Sequence, residues 1–270
     1  DKLVVYTEGV NSKKREYRCK RPGLFEKGKL VLLVDELSAS ASEVLAGALQ
    51  DWCRATIIGR RTFGKGLVQE QYPLSDGSAL RLTVARYYTP LGRGIQRSYG
   101  KGKKVYMDEL WERYNSGEML SADSLKNHNG GKKFTTRCND TLYGGDGITP
   151  NLFVPLDTTR SLQKILRLLS EGDFNNFIYN YYLQHKEQVG QYKTATEYAN
   201  SFNSADLLNN IINAANDSLK LKSISANEKE ILQQRLKALL ARYKWRNSGF
   251  YQVLNNEDLV IKKAMEQLAK

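Results

Sequence analysis

The side chains best suited to covalent chemistry are a serine and a lysine on two separate stretches of small residues. Ser40 lies in residues 35–43, where an apolar strand pattern gives way to a helix pattern. Lys65 lies between Gly64 and Gly66, after a second apolar run. A lysine shielded from water has a lowered pKa because desolvation disfavours its ammonium form. Neutral lysine can take the proton of a serine hydroxyl and so generate a nucleophile.

Ser40 also fits a purely structural role. Residues 40–43 read Ser-Ala-Ser-Glu, the S-x-x-E capping box in which the serine caps the first turn of a helix. Taken alone, this motif favours the cap over the nucleophile. Helix N-terminal amides also stabilise negative charge that develops nearby, so the position suits a nucleophile as well. A partner lysine at Lys65 favours the catalytic interpretation.

The glycine-flanked lysine has two other interpretations, a phosphate-binding turn or a solvated loop tip. The G-x-x-x-x-G-K-[ST] pattern is incomplete because Gly66 follows Lys65 where Ser or Thr is needed. Gln69, four residues on, could orient the lysine amine through its amide oxygen. A histidine-based triad would need His128 or His185, which lie in a polar run and at the end of a helical stretch. We expect both to face solvent, so the serine–lysine pair is favoured.

Composition limits the alternatives. The 270 residues carry a formal net charge of +12, and a positive surface favours anionic partners. No nucleic-acid motif accompanies the basic clusters at residues 13–21 and 101–104, so we interpret them as a solvated hairpin and loop, and no nucleic acid is expected as a partner. Cys19, Cys53 and Cys138 lack metal-ligand spacing, which argues against a metal site. One disulfide plus a free thiol stays open.

The first hundred residues alternate strand and helix signals. A hairpin is predicted from residues 2–7 and 14–19, and a strand buried on both faces from 30–34. A helix over 42–52 and a second buried strand over 55–58 follow, then a glycine-flanked loop and a long strand over 79–88. Strand, helix and strand in this order indicate a βαβ unit in an α/β layer.

The remainder changes character twice. Residues 101–147 look like an excursion with one helix near 107–114, and 148–154 returns to the strand pattern. From about residue 158 the chain is predicted to be all-helical, with one helix over 162–169. A capping box at 225–228 precedes an apolar stripe that we assign to a core; its members are Ile231, Leu232, Leu236, Leu239, Leu240 and Tyr243.

Residues 38–43, 46–51, 62–69 and 82–96 closely resemble the C-terminal processing peptidases. The collinear resemblance runs from about residue 1 to residue 100 and resumes at 147–150. It implies that Ser40 is the nucleophile, that Lys65 is the general base and that Gln69 positions Lys65. The backbone N–H of Ala41 is implied as one oxyanion-hole donor, and the reaction is expected to need no cofactor or metal.

The resemblance also implies a crotonase/Clp-protease-like ββα core over residues 1–157, followed by an all-helical region over 158–270. A second oxyanion donor and a PDZ module normally lie upstream of the catalytic core in this family, so we expect the chain to be a fragment. The family's acidic residue after Ile-x-Pro is Asn151 here.

Expected substrates are proteins or peptides with accessible C-terminal tails, cleaved by an enzyme exported to the bacterial periplasm or cell envelope. The resemblance allows peripheral contact with the envelope and a homo-oligomer. A catalytically incomplete scaffold, or a basic module for nucleic acid or anionic lipid, are the alternatives.

Overall fold

The computed structural model describes residues 1–100, 102–126, 131–158, 172–214 and 225–270. These residues form two compact units, one of residues 1–156 with 263–270 and the other of residues 157–262. The helix predicted over 162–169 lies outside the described residues.

The first unit contains two main sheets. Strands β1 (Leu3–Glu8), β2 (Arg15–Arg18), β5 (Leu67–Pro73) and β6 (Ala79–Tyr88) form an antiparallel sheet in the order β2-β1-β6-β5. Strands β3 (Val31–Val34), β4 (Thr56–Gly59) and β9 (Leu152–Phe153) form a parallel sheet in the order β3-β4-β9. Parallel strands need a crossover connection, which helix α1 (Ala41–Asp51) provides between β3 and β4. The predicted α/β class is confirmed.

Helix α1 approaches the core closely because its residues are small. Ala46 is fully buried and packs with Val34, Ile57 and Ile148. A Cβ atom at Gly47 would lie 2.6 Å from the Thr89 methyl carbon, so a larger residue would push the helix outwards. The small side chains after Ser40 therefore set the distance between this helix and the strands beneath it.

Two details of the predicted strands are wrong. Only a glycine-flanked loop was expected between the strands at 55–58 and 79–88, but this stretch contains β5, which pairs with β6 in a hairpin that turns at Gly77. The strand at β3 was expected to be buried on both faces, yet Leu33 is 39% exposed. The physical reason is that β3 lies at the edge of its sheet within the described residues.

The excursion forms helices α2 (Gly102–Asn115) and α3 (Ala122–Lys126) and a hairpin of β7 (Lys133–Thr135) and β8 (Thr141–Tyr143). The helix predicted near 107–114 is confirmed within α2. A disulfide joins Cys53, after α1, to Cys138 in the β7–β8 connection, and Cys19 is a free, exposed thiol. Of the alternatives for the cysteines, the structure contains one disulfide plus a free thiol.

The described part of the second unit is helical. Its elements are α4 (Gly172–Gln184), α5 (Lys186–Gly190), α6 (Ala195–Ser201), α7 (Ala205–Ala214) and α8 (Ala226–Asn255), and the chain ends with α9 (Leu259–Ala269). Ser225 caps α8 and Glu228 completes the predicted capping box. The stripe on α8 packs into the core around Tyr198, as predicted, although Tyr243 stays 36% exposed. None of the helices described is both long and apolar enough to cross a membrane.

Candidate active site

Ser40 lies on a strained turn between a strand and a helix. It immediately precedes α1, with backbone angles φ 57° and ψ −116°. A non-glycine residue held at positive φ costs on the order of 1–3 kcal/mol, and such strain is concentrated at functional sites. The turn before it is shaped by Asp35, whose carboxylate accepts hydrogen bonds from the Ser38 N–H and hydroxyl, both at 2.9 Å. A serine on such a turn is presented as in a nucleophile elbow.

The capping box predicted at residues 40–43 is present in the structure. The Glu43 carboxylate accepts a hydrogen bond from the Ser40 N–H at 2.9 Å. The Ser40 hydroxyl faces the Glu43 N–H in a capping-box arrangement but makes no hydrogen bond of normal geometry to the helix. Ser40 therefore occupies the N-cap position of α1, and this position alone does not assign a role to its hydroxyl.

Glu43 connects the serine turn to the lysine loop. Its side chain is completely buried, and a buried carboxylate is costly unless donors surround it. One oxygen accepts from the Thr62 hydroxyl at 2.5 Å and the Gly64 N–H at 2.6 Å. The other accepts from the Ser40 N–H at 2.9 Å and the Lys65 N–H at 2.8 Å. The backbones of the two predicted catalytic residues thus meet at one oxygen atom.

Gly147 lets the chain return past this carboxylate. Its φ of 74° lies in the left-handed region, and an added Cβ would lie 2.7 Å from the Thr62 hydroxyl oxygen and 3.0 Å from Glu43 Oε1. The next residue, Ile148, donates its N–H to the Thr62 hydroxyl at 2.8 Å. The first residues of the short motif at 147–150 therefore pack directly against Thr62 and Glu43.

The side chain of Lys65 is exposed, which corrects the expectation that it is shielded from water. The neighbouring Gly64 and Gly66 provide no side-chain cover, so the same glycines that bring the backbone close leave the amine open. Among the described residues, no hydrogen bond joins the Lys65 amine to the Ser40 hydroxyl. The structure brings the two backbones together and leaves the contact between the side chains unmade.

The other two predicted site residues lie on the adjoining elements. Gln69 is an exposed residue of β5, next to an irregularity in pairing between Val68 and Gln69. Such bulges re-aim side chains, but within residues 1–100 no hydrogen bond joins the Gln69 amide to Lys65. Ala41 is the first residue of α1 and is exposed, so its N–H has no acceptor within the helix.

Asn151 replaces an expected acidic residue without loss of local contacts. Its amide oxygen accepts from the Ile57 N–H at 3.0 Å and from the Gln50 amide at 3.3 Å. Nearby, Arg93 and Asp51 form a buried ion pair at 2.7 Å. Burial lowers the pKa of Arg93, and the charge of Asp51 opposes that shift. These contacts connect β4 and the C-terminal end of α1 to neighbouring segments of the chain.

A histidine-based alternative gains no support. The ring of His185 stacks on Tyr181 at 3.9 Å and its Nδ1 lies 2.9 Å from the Tyr181 carbonyl oxygen. It is partly buried, so the expectation that it faces solvent is wrong, because Tyr181 covers one face of its ring. His128 lies outside the described residues. Over the ranges the structure describes, no group of three or more His, Cys, Asp or Glu side chains could hold a metal ion.

Glu43 and Thr62 are the residues that sequence reasoning missed. Glu43 was interpreted only as part of a cap, and Thr62 only as part of a motif. The signal for Glu43 was its place in the capping box, which does not reveal that three of its four donors come from residues 62–65. Those donors lie 19 to 22 positions away in the sequence, beyond the reach of any local pattern.

Comparisons with known proteins found family models that match two parts of this chain. The model of peptidase family S41 matches residues 1–103, and that of a family of unknown function matches residues 165–246. The Carboxy-terminal-processing protease of Bartonella bacilliformis is 43% identical over 118 residues, which cover 43% of this chain and 27% of that protein. The chloroplastic C-terminal processing peptidase of Tetradesmus obliquus is 60% identical over 79 residues, covering 29% of this chain and 17% of that protein.

The photosystem II D1 C-terminal processing protease is a similar solved structure, at a TM-score of 0.38 and 28% identity over 63% of this chain and 32% of that one. We draw no argument about the fold from a TM-score this low. The match to the Bartonella bacilliformis protein spans about a quarter of the length of that relative. The resemblance of the first hundred residues to the C-terminal processing peptidases is confirmed by the family model and by these relatives. Residues 1–103 are thus similar to peptidase family S41, a match that covers less than half of the 270 residues.

Proposed function

We propose that this chain carries the catalytic dyad of a serine-type endopeptidase that cleaves proteins in or near their C-terminal tails. The observation that carries the proposal is the single Glu43 oxygen that accepts from the N–H groups of both Ser40 and Lys65. The strained backbone of Ser40, at the start of α1, supports the assignment of the nucleophile.

The proposed reaction proceeds through an acyl-enzyme. Neutral Lys65 takes the hydroxyl proton of Ser40 while the serine oxygen bonds to the substrate carbonyl carbon. The Ala41 N–H, at the positive end of α1, donates to the developing oxyanion. The C–N bond then breaks, and Lys65 passes its proton to the leaving amine. A water molecule gives its proton to Lys65 and attacks the ester, which releases the new C-terminus, and Lys65 returns the proton to Ser40.

Gln69 is proposed to orient the amine of Lys65 during these transfers. The side chain of Lys65 is exposed, and the proposed reaction requires that water be excluded from it, because desolvation disfavours an ammonium group. We propose that the bound substrate, and any part of the intact protein that covers this face, supplies that exclusion. The oxyanion hole also needs a second hydrogen-bond donor. We propose none of the described residues for that role.

The test uses the intact protein and a reporter with an unstructured C-terminal tail. Ser40→Ala and Lys65→Ala are expected to abolish cleavage while circular dichroism and thermal unfolding stay close to wild type. The matched control is Ser42→Ala, an exposed serine on the same turn of α1, which is expected to keep normal turnover. A Ser40→Ala variant that turns over normally would falsify the proposal, and a wild type that cleaves no tail would favour the incomplete scaffold.

The disulfide supports an exported location. Disulfides persist mainly in oxidising compartments, and Cys53 and Cys138 form one here. We propose that this part of the protein acts in the bacterial periplasm or cell envelope, on protein or peptide substrates. Alkylation of free thiols in cells, before and after reduction, measures whether Cys53 and Cys138 are oxidised there; two reduced thiols would contradict the location.

A crotonase/Clp-protease-like arrangement is proposed for the core. Its support is the parallel pairing of β3 and β4, which α1 connects, with the proposed nucleophile at the N-terminal end of α1. An experimental structure of the intact protein tests this arrangement, and a different connection of β3, α1 and β4 would contradict it.

A further inference from the structure

The loop that carries Lys65 is hydrogen-bonded from two sides. From α1, Glu43 accepts from the N–H groups of Gly64 and Lys65. From α2, the Arg113 guanidinium donates to the carbonyl oxygens of Arg61 at 2.6 Å and Thr62 at 3.1 Å. The carbonyl groups just before the lysine are therefore fixed by a side chain from a different element.

Arg113 belongs to the excursion and not to the part of the chain that the peptidase family model matches. That match ends at residue 103, and most of α2 lies beyond it. The side chain is only 2% exposed, which is unusual for arginine. Arg113 is buried and donates two hydrogen bonds to carbonyl groups of one loop. The match to the family model does not explain this role.

The charge of Arg113 is balanced inside the protein. Glu118 accepts from Arg113 at 2.9 Å and from Arg61 at 2.8 and 2.9 Å. Burial and the nearby charge of Arg61 lower the pKa of Arg113, whereas Glu118 raises it. Buried ion clusters add little net stability because desolvation offsets their attraction. The cluster is therefore better explained by the geometry that it imposes on the loop.

A second contact ties α2 to the same loop. The Arg97 guanidinium lies between the rings of Phe63 and Tyr106, at 4.2 and 4.0 Å from their centres. The backbone N–H of Arg97 donates to the Gly64 carbonyl oxygen at 3.1 Å, and its guanidinium donates to the Tyr106 carbonyl oxygen at 2.7 Å. The loop is thus bound before Phe63 by Arg113 of α2 and after Phe63 by Arg97, which in turn contacts Tyr106 of α2.

We propose that Arg113 is a positioning residue for the peptidase reaction: by holding the carbonyl groups of Arg61 and Thr62, it sets where Lys65 lies relative to Ser40. This inference rests on the proposed function, since the position of Lys65 affects turnover only if Lys65 is the base. The planar fork of arginine can bind two carbonyl groups at once, whereas lysine is a point donor that reaches one of them well.

The kinetic test compares Arg113→Met and Arg113→Lys in the intact protein. A displacement of about 1 Å in a catalytic group can cost about 100-fold in rate. Arg113→Met is therefore expected to lower kcat by about 10- to 100-fold with KM nearly unchanged, and to move the pH at which kcat rises. Arg113→Lys is expected to recover part of the loss. The matched control is Glu112→Gln, an exposed neighbour on the same helix, which is expected to match wild type.

A second measurement needs no turnover. Hydrogen exchange of the Gly64 and Lys65 amides, read by mass spectrometry of the intact protein, is expected to be about tenfold faster in Arg113→Met than in the control, because local opening becomes easier. A normal kcat of Arg113→Met overturns the inference, whether or not the exchange changes. So does a loss of activity that equals the unfolded fraction. If Arg113→Met does not fold, Arg113→Lys decides by the same two criteria.

The two proposals fail in different ways. A wild type without peptidase activity overturns the proposed function, but the exchange measurement then still reports whether Arg113 fixes the loop. A wild type that cleaves through Ser40 and Lys65, with an Arg113→Met variant of normal kcat, overturns only the positioning role.

Discussion

The backbone N–H of Lys65 donates to the buried carboxylate of Glu43 at 2.8 Å. Glu43 is part of α1, the helix that begins beside Ser40, so the position of Lys65 is tied to the helix that follows the proposed nucleophile. A movement of α1 that shifts Ser40 also shifts the anchor of Lys65.

Glu43→Gln removes half of the acceptor capacity at this junction. Four donors converge on two carboxylate oxygens, and an amide would place its NH₂ group against two of them. A buried donor left unsatisfied costs about 1–3 kcal/mol, and misplacement of the dyad is expected to lower kcat/KM by about 100-fold. Steady-state kinetics and thermal unfolding measure the two effects. Glu26→Gln, on an exposed turn, serves as the control, and equal behaviour of the two variants would contradict the role of Glu43.

Ser40→Gly is expected to make the protein more stable and inactive. Glycine adopts positive φ without the penalty that Ser40 bears at φ 57°, so the free energy of unfolding should rise by about 1 kcal/mol. Chemical denaturation measures the change. At Ser225, an ordinary cap with φ −66° whose side chain accepts from the Glu228 N–H, the same substitution should lower stability by a few tenths of a kcal/mol. A decrease at Ser40 would show that its turn is not strained.

Gly147→Ala tests the closure of the site, with Gly145→Ala as its matched control. Both glycines have positive φ, 74° and 104°, so both variants incur backbone strain of about 1–3 kcal/mol. Only at Gly147 would the new Cβ meet the Thr62 hydroxyl and Glu43, whereas Gly145 has nothing within 4 Å. Gly147→Ala should therefore be less stable than Gly145→Ala by about 1–3 kcal/mol and should lose activity, which unfolding curves and turnover measure. Equal stabilities would mean that residues 62 and 43 can move away freely.

Cys138→Ser opens a covalent ring whose cysteines are 85 positions apart. Disulfides stabilise mainly by restricting the unfolded chain, so the loss is expected to be about 2–5 kcal/mol. Thermal unfolding of the oxidised wild type and the variant measures it. Cys19→Ser changes the free, exposed thiol and should leave the unfolding temperature unaltered. A reducing agent that lowers the stability of Cys138→Ser would show that another bond matters.

The parts of the fold that could be predicted are those with a local signature. The apolar run before Ser40, the small residues of α1 and the capping box at Ser225 each define their element through neighbouring positions. The strand β5 has no such signature: its residues are polar or half-exposed, and it ends at Pro73. It exists because β6 supplies a partner through the turn at Gly77, and such pairing is not visible in a short window.

The candidate site also combines residues with a local sequence signature and residues whose role depends on distant contacts. Ser40, Ala41, Lys65 and Gln69 could be named because they lie in recognisable motifs. The contact of Arg113 with the carbonyl groups of Arg61 and Thr62 joins residues 52 and 51 positions apart. An arginine in an amphipathic helix is ordinarily a surface residue, so its burial depends on the packing of α2 against the lysine loop. The exposure of Lys65 likewise depends on what covers the loop, which local sequence does not determine.

The disulfide between Cys53 and Cys138 encloses a loop of chain that contains some of the proposed site residues but not all of them. Lys65, Gln69 and Arg113 lie between the two cysteines in the chain, and Ser40 lies outside them. A single peptide-bond cut by another protease between these cysteines would therefore produce a nicked molecule whose two pieces stay covalently attached. On a non-reducing gel it would migrate as one species. The proposed nucleophile and the proposed base would in this way stay on one connected molecule after such damage.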